Sequence, residues 1–305
     1  MATDVLDRRA LGRRLTWLAN AGAEELMRQP LPSAAATTAR RIGMTGAPGA
    51  GKSTLLAHLV LQRKDKGRRG VLAVDPSSPK SGGAILGDRI RMDDLEGMSE
   101  LYIRSLGSRS ATDGLADNIP EMLDAMDEFG FDEVYLETVG VGQAEYAARA
   151  QVDTLVLVLL PDSGDAVQAM KAGIMEMADI LVVNKADLPG AQKMVTDITR
   201  IAAVTARRPG TWVPPVLLVS ASRPATVEAL SAQIDRHQEW LSTQGLAQSL
   251  RIERARYRLK RLIERRAAAI IDAQGPSFFE QSFEAQAATV LDRASREIVG
   301  TVPQI

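Results

Sequence analysis

The nine residues "GAPGAGKST" at 46–54 restrict what this chain can fold into more than any other stretch. They match G-x-x-x-x-G-K-[ST] in full, with Gly46, Gly49, Ala50 and Gly51 leading into Lys52 and Ser53, and Thr54 following. The apolar run "RIGMT" precedes them and the helix-like "STLLAHLVLQRK" follows, which is the strand–loop–helix context a phosphate loop requires. Its glycines let successive backbone N–H groups turn inward around an anion, at a helix N-terminus whose dipole favours negative charge. A lysine at position 52 reaches the β- and γ-phosphates, and the Ser53 hydroxyl can ligate Mg²⁺.

The rest of the central region agrees with such a unit. The runs "GVLAVD", "ELYIRS", "EVYLET", "TLVLVLL", "DILVVN" and "PVLLVS" alternate with longer amphipathic segments up to about Trp240. Strands alternating with helices predict an α/β fold, a mostly parallel sheet covered by helices on both faces. Leu11, Leu15 and Leu18 have helical spacing and are followed by the linker-like "QPLPSAAATTA", so residues 1–38 read as an N-terminal helical extension. Residues 39–243 read as the nucleotide domain, and 244–305 as a helical arm broken near "QGPS". In that arm "RIERARYRLKRLIERR", 251–266, holds seven arginines and one lysine against two glutamates. Ile252, Leu259, Leu262 and Ile263 form an apolar stripe, so the charges read as the solvated side of an amphipathic helix and not as a nucleic-acid surface. A two-helix tail with little core of its own points to a dimerisation arm or a clamp on the main domain.

Composition closes several other routes. The chain has no cysteine, which removes disulfides, thiolate metal sites and cysteine nucleophiles. Its formal net charge of −1 gives no overall pull toward nucleic acid or an anionic membrane. No apolar run approaches the roughly 20 residues of a membrane span. The N-terminus carries Asp4 and Asp7 and no apolar segment, so a signal peptide is not expected and a cytoplasmic location is.

The base is read at "NKAD", 184–187, after the run "DILVV". The Asp187 carboxylate can accept from N1–H and the 2-amino group of guanine, a donor pair that adenine lacks. Asn184 can serve the base and tie its loop to the phosphate loop, and the Lys185 stem can pack over the ring. In "SAS", Ser220 to Ser222, the Ala221 backbone N–H is placed for the guanine oxygen. The expected nucleotides are GTP and GDP.

At "ETVGVGQAE", Glu137 ends a strand as the acid expected near Mg²⁺, and Gly140 stands where a backbone N–H can meet the γ-phosphate. Lys52, Glu137 and Gly140 are thus the candidate catalytic set. Asp75 in "VDPSSPKSGG" and Asp88 in "LGDRIRM" are further candidate acids for the metal; alternatively Asp75 caps the turn at Pro76 and Asp88 pairs with Arg89 or Arg91. No glutamine or arginine stands out as the residue that positions the attacking water.

These segments, with "DPSSPKSGGAILGDRIRM" and "GDAVQAMKAGI", together resemble the MeaB family of GTPases. The resemblance implies GTP hydrolysis that serves an adenosylcobalamin-dependent acyl-CoA mutase, methylmalonyl-CoA mutase or a related one. The GTPase gates cofactor loading and helps expel damaged cobalamin without binding cobalamin itself. It also implies a homodimer formed through C-terminal helices. Carried over, it assigns Ser53, Asp75, Asp88 and Glu137 to Mg²⁺, and gives the loop 161–171, with Asp165, Gln168 and Lys171, to coupling with the mutase. The chain departs from the family's pattern at Ala166, where "GDAVQ" replaces "GDELQ", and at Ala144, where serine is frequent. The competing reading, a nickel or zinc metallochaperone GTPase, needs a Cys/His transfer cluster. This chain has no cysteine, and its two histidines, His58 and His237, stand apart on expected helices and read as structural. A transport-component kinase would need a phosphoacceptor or an adenine site, and neither is seen.

Overall fold

The computed structural model describes residues 6–29, 39–75, 98–107, 117–138, 143–161, 173–204 and 210–299. Its strands are β1 (Arg40–Thr45), β2 (Arg69–Asp75), β3 (Leu101–Gly107), β4 (Glu133–Glu137), β5 (Thr154–Leu159), β6 (Ile180–Val183) and β7 (Val216–Leu218). They form one sheet in the order β3-β2-β4-β1-β5-β6-β7, and every neighbouring pair is parallel. The apolar runs of the sequence become these strands because a parallel sheet buries both faces. All six residues of β5 are buried.

The two faces divide by residue parity. Ile42, Met44, Tyr135, Val156, Val158, Ile180 and Val182 face one way, against α3 (Lys52–Gln62) and α8 (Pro224–Thr243). Leu72, Val134, Leu136 and Leu155 face the other, against α1 (Arg8–Asn20), α4 (Ile119–Glu128) and α5 (Gln143–Arg149). Leu157, Leu159, Leu181 and Val183 continue that second face against α6 (Ile174–Met177) and α7 (Ala191–Val204). The chain moves from β1 to one side of the sheet and, after β4, crosses to β5 on the other. The carboxyl end of β1 is therefore a topological switch point, where open α/β sheets bind ligands.

The N-terminal helix shares the main core. Leu11, Leu15 and Leu18 are buried in the cluster that holds Met122 and Leu123 of α4. Asp7 caps α1, its Oδ1 accepting from the Ala10 N–H at 2.8 Å. A short α2 (Ala23–Met27) follows.

The C-terminal arm comprises α9 (Ala247–Asp272), α10 (Pro276–Phe279) and α11 (Phe283–Val299). Ile270, Phe278 and Val290 form a small cluster of their own there. The orientation of α9 reverses the expectation from hydropathy. Ile252, Leu259 and Ile263 are 49%, 60% and 49% exposed, and of the expected stripe only Leu262 is buried. The side turned toward the domain carries arginines. Arg254 pairs with Asp153, and Arg258 with Glu121 at 3.3 Å and Asp124 at 2.9 Å. Arg261 reaches Asp117 at 3.4 Å, Arg265 donates to Asn118 Oδ1, and Arg266 reaches Glu24 at 3.5 Å. The physical reason is a row of acids on α2, α4 and the start of β5 that needs cations. Long arginine stems can pack over apolar surface while their heads pair. Among the described residues, no helix is long and apolar enough to cross a membrane.

Candidate nucleotide site

The phosphate-loop turn leaves the end of β1 with three glycines at positive φ: Gly46 at 141°, Gly49 at 80° and Gly51 at 81°. A side chain is excluded at two of them. A Cβ on Gly46 would lie 2.0 Å from the Val158 carbonyl oxygen, and one on Gly51 would lie 2.7 Å from Asn184 Nδ2. At Gly49 there is open space, so its requirement is one of backbone conformation alone. The turn ends directly at the N-terminus of α3, a site suited to an anion.

Lys52 is buried and folds back over this turn, its Nζ donating to the Gly46 and Ala47 carbonyls at 2.8 and 2.9 Å. Ser53, one residue on, donates through Oγ to Glu137 Oε1 at 2.6 Å, with both side chains buried. Sheet register explains the meeting: Glu137 lies beside Met44, so the last residue of β4 faces the beginning of the phosphate loop. A second link follows immediately. Thr138 Oγ1 donates to Thr45 Oγ1 at 2.9 Å and its N–H to the Met44 carbonyl at 3.1 Å, and both threonines are fully buried. Thr54 is half-buried in the first turn of α3.

The Ser53 hydroxyl and the Glu137 carboxylate offer oxygen atoms only, the donor chemistry that a hard cation such as Mg²⁺ accepts. They fit that ion. Asp75 ends β2, two residues beyond Ala73, which is in register with Glu137. Asp88, Gly140, Asp165, Gln168 and Lys171 lie outside the described residues.

The turn at 184–187 is held against the phosphate loop. Asn184, buried after β6, donates through Nδ2 to the Ala50 carbonyl at 2.8 Å across 134 residues of sequence. Its Oδ1 is buried and has no hydrogen-bond partner among the described residues, an acceptor of the kind a bound ligand satisfies. Lys185 has φ 55°, the one positive φ outside glycine among the described residues, and its Cε lies 3.8 Å from where a Gly51 Cβ would stand. The strained backbone thus aims the lysine stem over the loop. Asp187 is exposed, and Ser220 Oγ donates to its Oδ1 at 3.3 Å. Ser220 is also held by Thr226, whose Oγ1 accepts from the Ser220 N–H at 3.0 Å, so the segment carrying Ala221 is fixed beside Asp187.

Sequence reasoning missed the Thr45–Thr138 pair, because nothing in either motif marks a hydroxyl-to-hydroxyl contact across 93 residues. His237 lies away from this site. It is buried beside Trp212 and Trp240, its Nδ1 2.9 Å from Thr154 Oγ1 and its Nε2 3.4 Å from Asp179 Oδ1. Burial, with help from Arg149, lowers its pKa to about 4, so the neutral ring makes no ion pair with Asp179.

Comparison with known proteins agrees with this geometry. The family profile described as "Methylmalonyl Co-A mutase-associated GTPase MeaB" matches residues 11–275. A Pyrococcus abyssi protein whose name marks it as a GTPase is 38% identical over 273 residues, 88% of this chain and 83% of its own length. The GTPase ArgK of Escherichia coli is 36% identical over 217 residues, covering 69% and 65% of the two chains. The mouse mitochondrial methylmalonic aciduria type A homolog is 39% identical over 185 residues, 59% of this chain and 45% of that protein. Among solved structures, an LAO/AO transport system kinase superposes with a TM-score of 0.64 at 22% identity, over 96% of this chain and 100% of that one.

Proposed function

The chain belongs to the MeaB family of GTPases, and on that premise we propose that its GTP cycle serves an adenosylcobalamin-dependent acyl-CoA mutase, gating cofactor loading and protecting or reactivating that enzyme. Hydrolysis of GTP to GDP and phosphate is the family's activity. One observation carries the assignment of the site. The phosphate loop and the NKAD turn, far apart in sequence, are joined by Asn184 donating to the Ala50 carbonyl. A base held at one turn therefore has its phosphates at the other.

In this reading the backbone N–H groups of 46–54 bind the β- and γ-phosphates. Lys52 exchanges its two carbonyl partners for phosphate oxygens, a stronger charge-assisted contact. Ser53 and Glu137 would hold Mg²⁺, with Asp75 and Asp88 as further acids; when bound, the ion neutralises charge on the β- and γ-oxygens. The Thr45–Thr138 bond anchors the start of the turn that carries Gly140, so that this turn moves about a fixed point when the γ-phosphate leaves. Asp187 accepts from guanine, Lys185 covers the ring, and Ser220 holds Asp187 toward it. The loop 161–171, with Asp165, Gln168 and Lys171, follows β5 at the carboxyl edge of the sheet, where it can read nucleotide state and pass it to the mutase.

The exposed Ile252, Leu259 and Ile263 on α9, together with Phe283 and Leu291 on α11, fit the homodimer contact that the family resemblance implies. Burial of such a patch against a second copy is the ordinary reason for its exposure. The experiment that tests the proposal is GTP turnover by the purified protein, alone and with each cobalamin-dependent mutase of its source organism. Acceleration by one of them supports the reading, and indifference to all of them removes it.

A further inference from the structure

Two groups of arginines in this protein contrast. Those on the inner side of α9 each have an acidic or amide partner. Around α1 and the facing β3 the pattern is different. Arg8 and Arg104 are pinned, Arg8 donating to the Met98 carbonyl and to the Leu101 carbonyl at 2.6 Å, and Arg104 donating to Thr16 Oγ1 at 3.1 Å. Arg9 and Arg13 are exposed and make no ion pair or hydrogen bond among the described residues. All four line one groove of about 750 Å³ beside Trp17, which is 36% exposed. The guanidinium of Arg14 sits 5.1 Å from the Trp17 ring centroid and steadies it. The carboxylate lining this groove, Glu25, is already engaged by the Gly22 N–H at 2.8 Å.

The groove is thus cationic, partly preorganised and provided with one aromatic anchor. Arginine and tryptophan are the residue types that dominate binding energy at protein interfaces. Guanidinium forks match carboxylates in bidentate geometry. Arg9 and Arg13 are one helical turn apart, so their charges form a line along α1 and not a closed cage around a single phosphate. We propose that this groove docks an acidic segment of a partner protein, its carboxylates on Arg9, Arg13 and Arg104 and an apolar side chain against Trp17. The site is at the β3 edge of the sheet, separated by three strands from β5.

The test is fluorescence anisotropy of a labelled peptide rich in aspartate and glutamate with a central phenylalanine, titrated with the full-length GTPase. Arg9→Glu combined with Arg13→Glu should weaken binding about tenfold or more, and Trp17→Ala several-fold. A matched double reversal at the exposed Lys193 and Arg200 on α7 changes net charge equally and should alter binding less than about threefold. Equal losses from the two double reversals would reduce the effect to general electrostatics and overturn the proposal. Absence of peptide binding, or displacement of the peptide by pyrophosphate or duplex DNA at lower concentration than by unlabelled peptide, would overturn it as well. The α1 variant should keep wild-type GTP affinity, which shows that it is folded. Binding of the peptide but of no mutase would leave this docking site standing and remove the mutase reading above.

Discussion

Arg258 provides the sharpest test of how the C-terminal arm is held. Its guanidinium meets Glu121 at 3.3 Å and Asp124 at 2.9 Å, and it is only 13% exposed. Arg258→Met keeps most of the stem and removes the charge. Breaking one side of a fully buried pair costs about 3–5 kcal/mol. Two features of the structure reduce that figure. Asp124 keeps Arg41, whose Nη2 is 2.8 Å from its Oδ1, and Glu121 can take up a proton, since burial already raises its pKa. We therefore expect a loss of about 1–3 kcal/mol in arm docking, equivalent to roughly 5- to 150-fold in the docking equilibrium. Hydrogen exchange read by mass spectrometry should show faster exchange in peptides of 251–266 and in the facing part of α4, with the central strands unchanged. Lys260→Gln, at an exposed position outside the apolar patch, should leave those peptides as they are. Unaltered exchange in Arg258→Met, or loss of protection in Lys260→Gln but not in Arg258→Met, would refute docking by arginines.

Asp187→Asn should move base preference from guanine toward xanthine, because an amide donor suits the extra carbonyl of xanthine; competition between GTP and XTP for the variant reads it, and retained GTP preference would exclude Asp187 as the base reader. Glu137→Gln should retain nucleotide but shift the Mg²⁺ titration of turnover to higher concentration, since a neutral amide is a poor partner for a hard cation, and an unshifted titration would leave the Ser53–Glu137 contact purely structural. The neutral form of His237 favours the fold: its folded pKa, about 4, is below the usual 6.5, so its contribution is complete above 6.5 and is lost as pH falls toward 4. The stability advantage of wild type over His237→Gln, taken from urea midpoints, should therefore shrink by up to about 3 kcal/mol across that window, and a constant difference would contradict the assignment.

The sheet was legible because each buried parallel strand is a short apolar run, and the motifs that the structure brings together, 46–54 with Glu137 and Asn184, stood out because phosphate and guanine chemistry would confine such residues to fixed spacings. Leu11, Leu15 and Leu18 announced a helix, but nothing near them said that α4 would receive it. The orientation of α9 was the clearest failure. Ile252, Leu259 and Ile263 have helical spacing, yet so do Arg254, Arg258, Arg261 and Arg265, and hydropathy read that arginine side as solvated when it meets the domain. The acids that decide the matter, Asp117, Glu121, Asp124 and Asp153, are about a hundred or more residues earlier in the chain, beyond the reach of local periodicity. The Thr45–Thr138 bond escaped for the same reason, since it depends on strand register and not on either motif.

The central claim is that GTP turnover at this site is coupled to a cobalamin-dependent mutase. Steady-state GTP hydrolysis, measured with and without the cognate mutase at saturating GTP and Mg²⁺, tests it most directly. A coupling free energy of about 1–3 kcal/mol predicts a rise of roughly 5- to 150-fold in turnover, and Lys171→Ala in the loop 161–171 should remove most of that rise while leaving the basal rate within a few-fold. Turnover that is the same with every such mutase and without any would contradict the account.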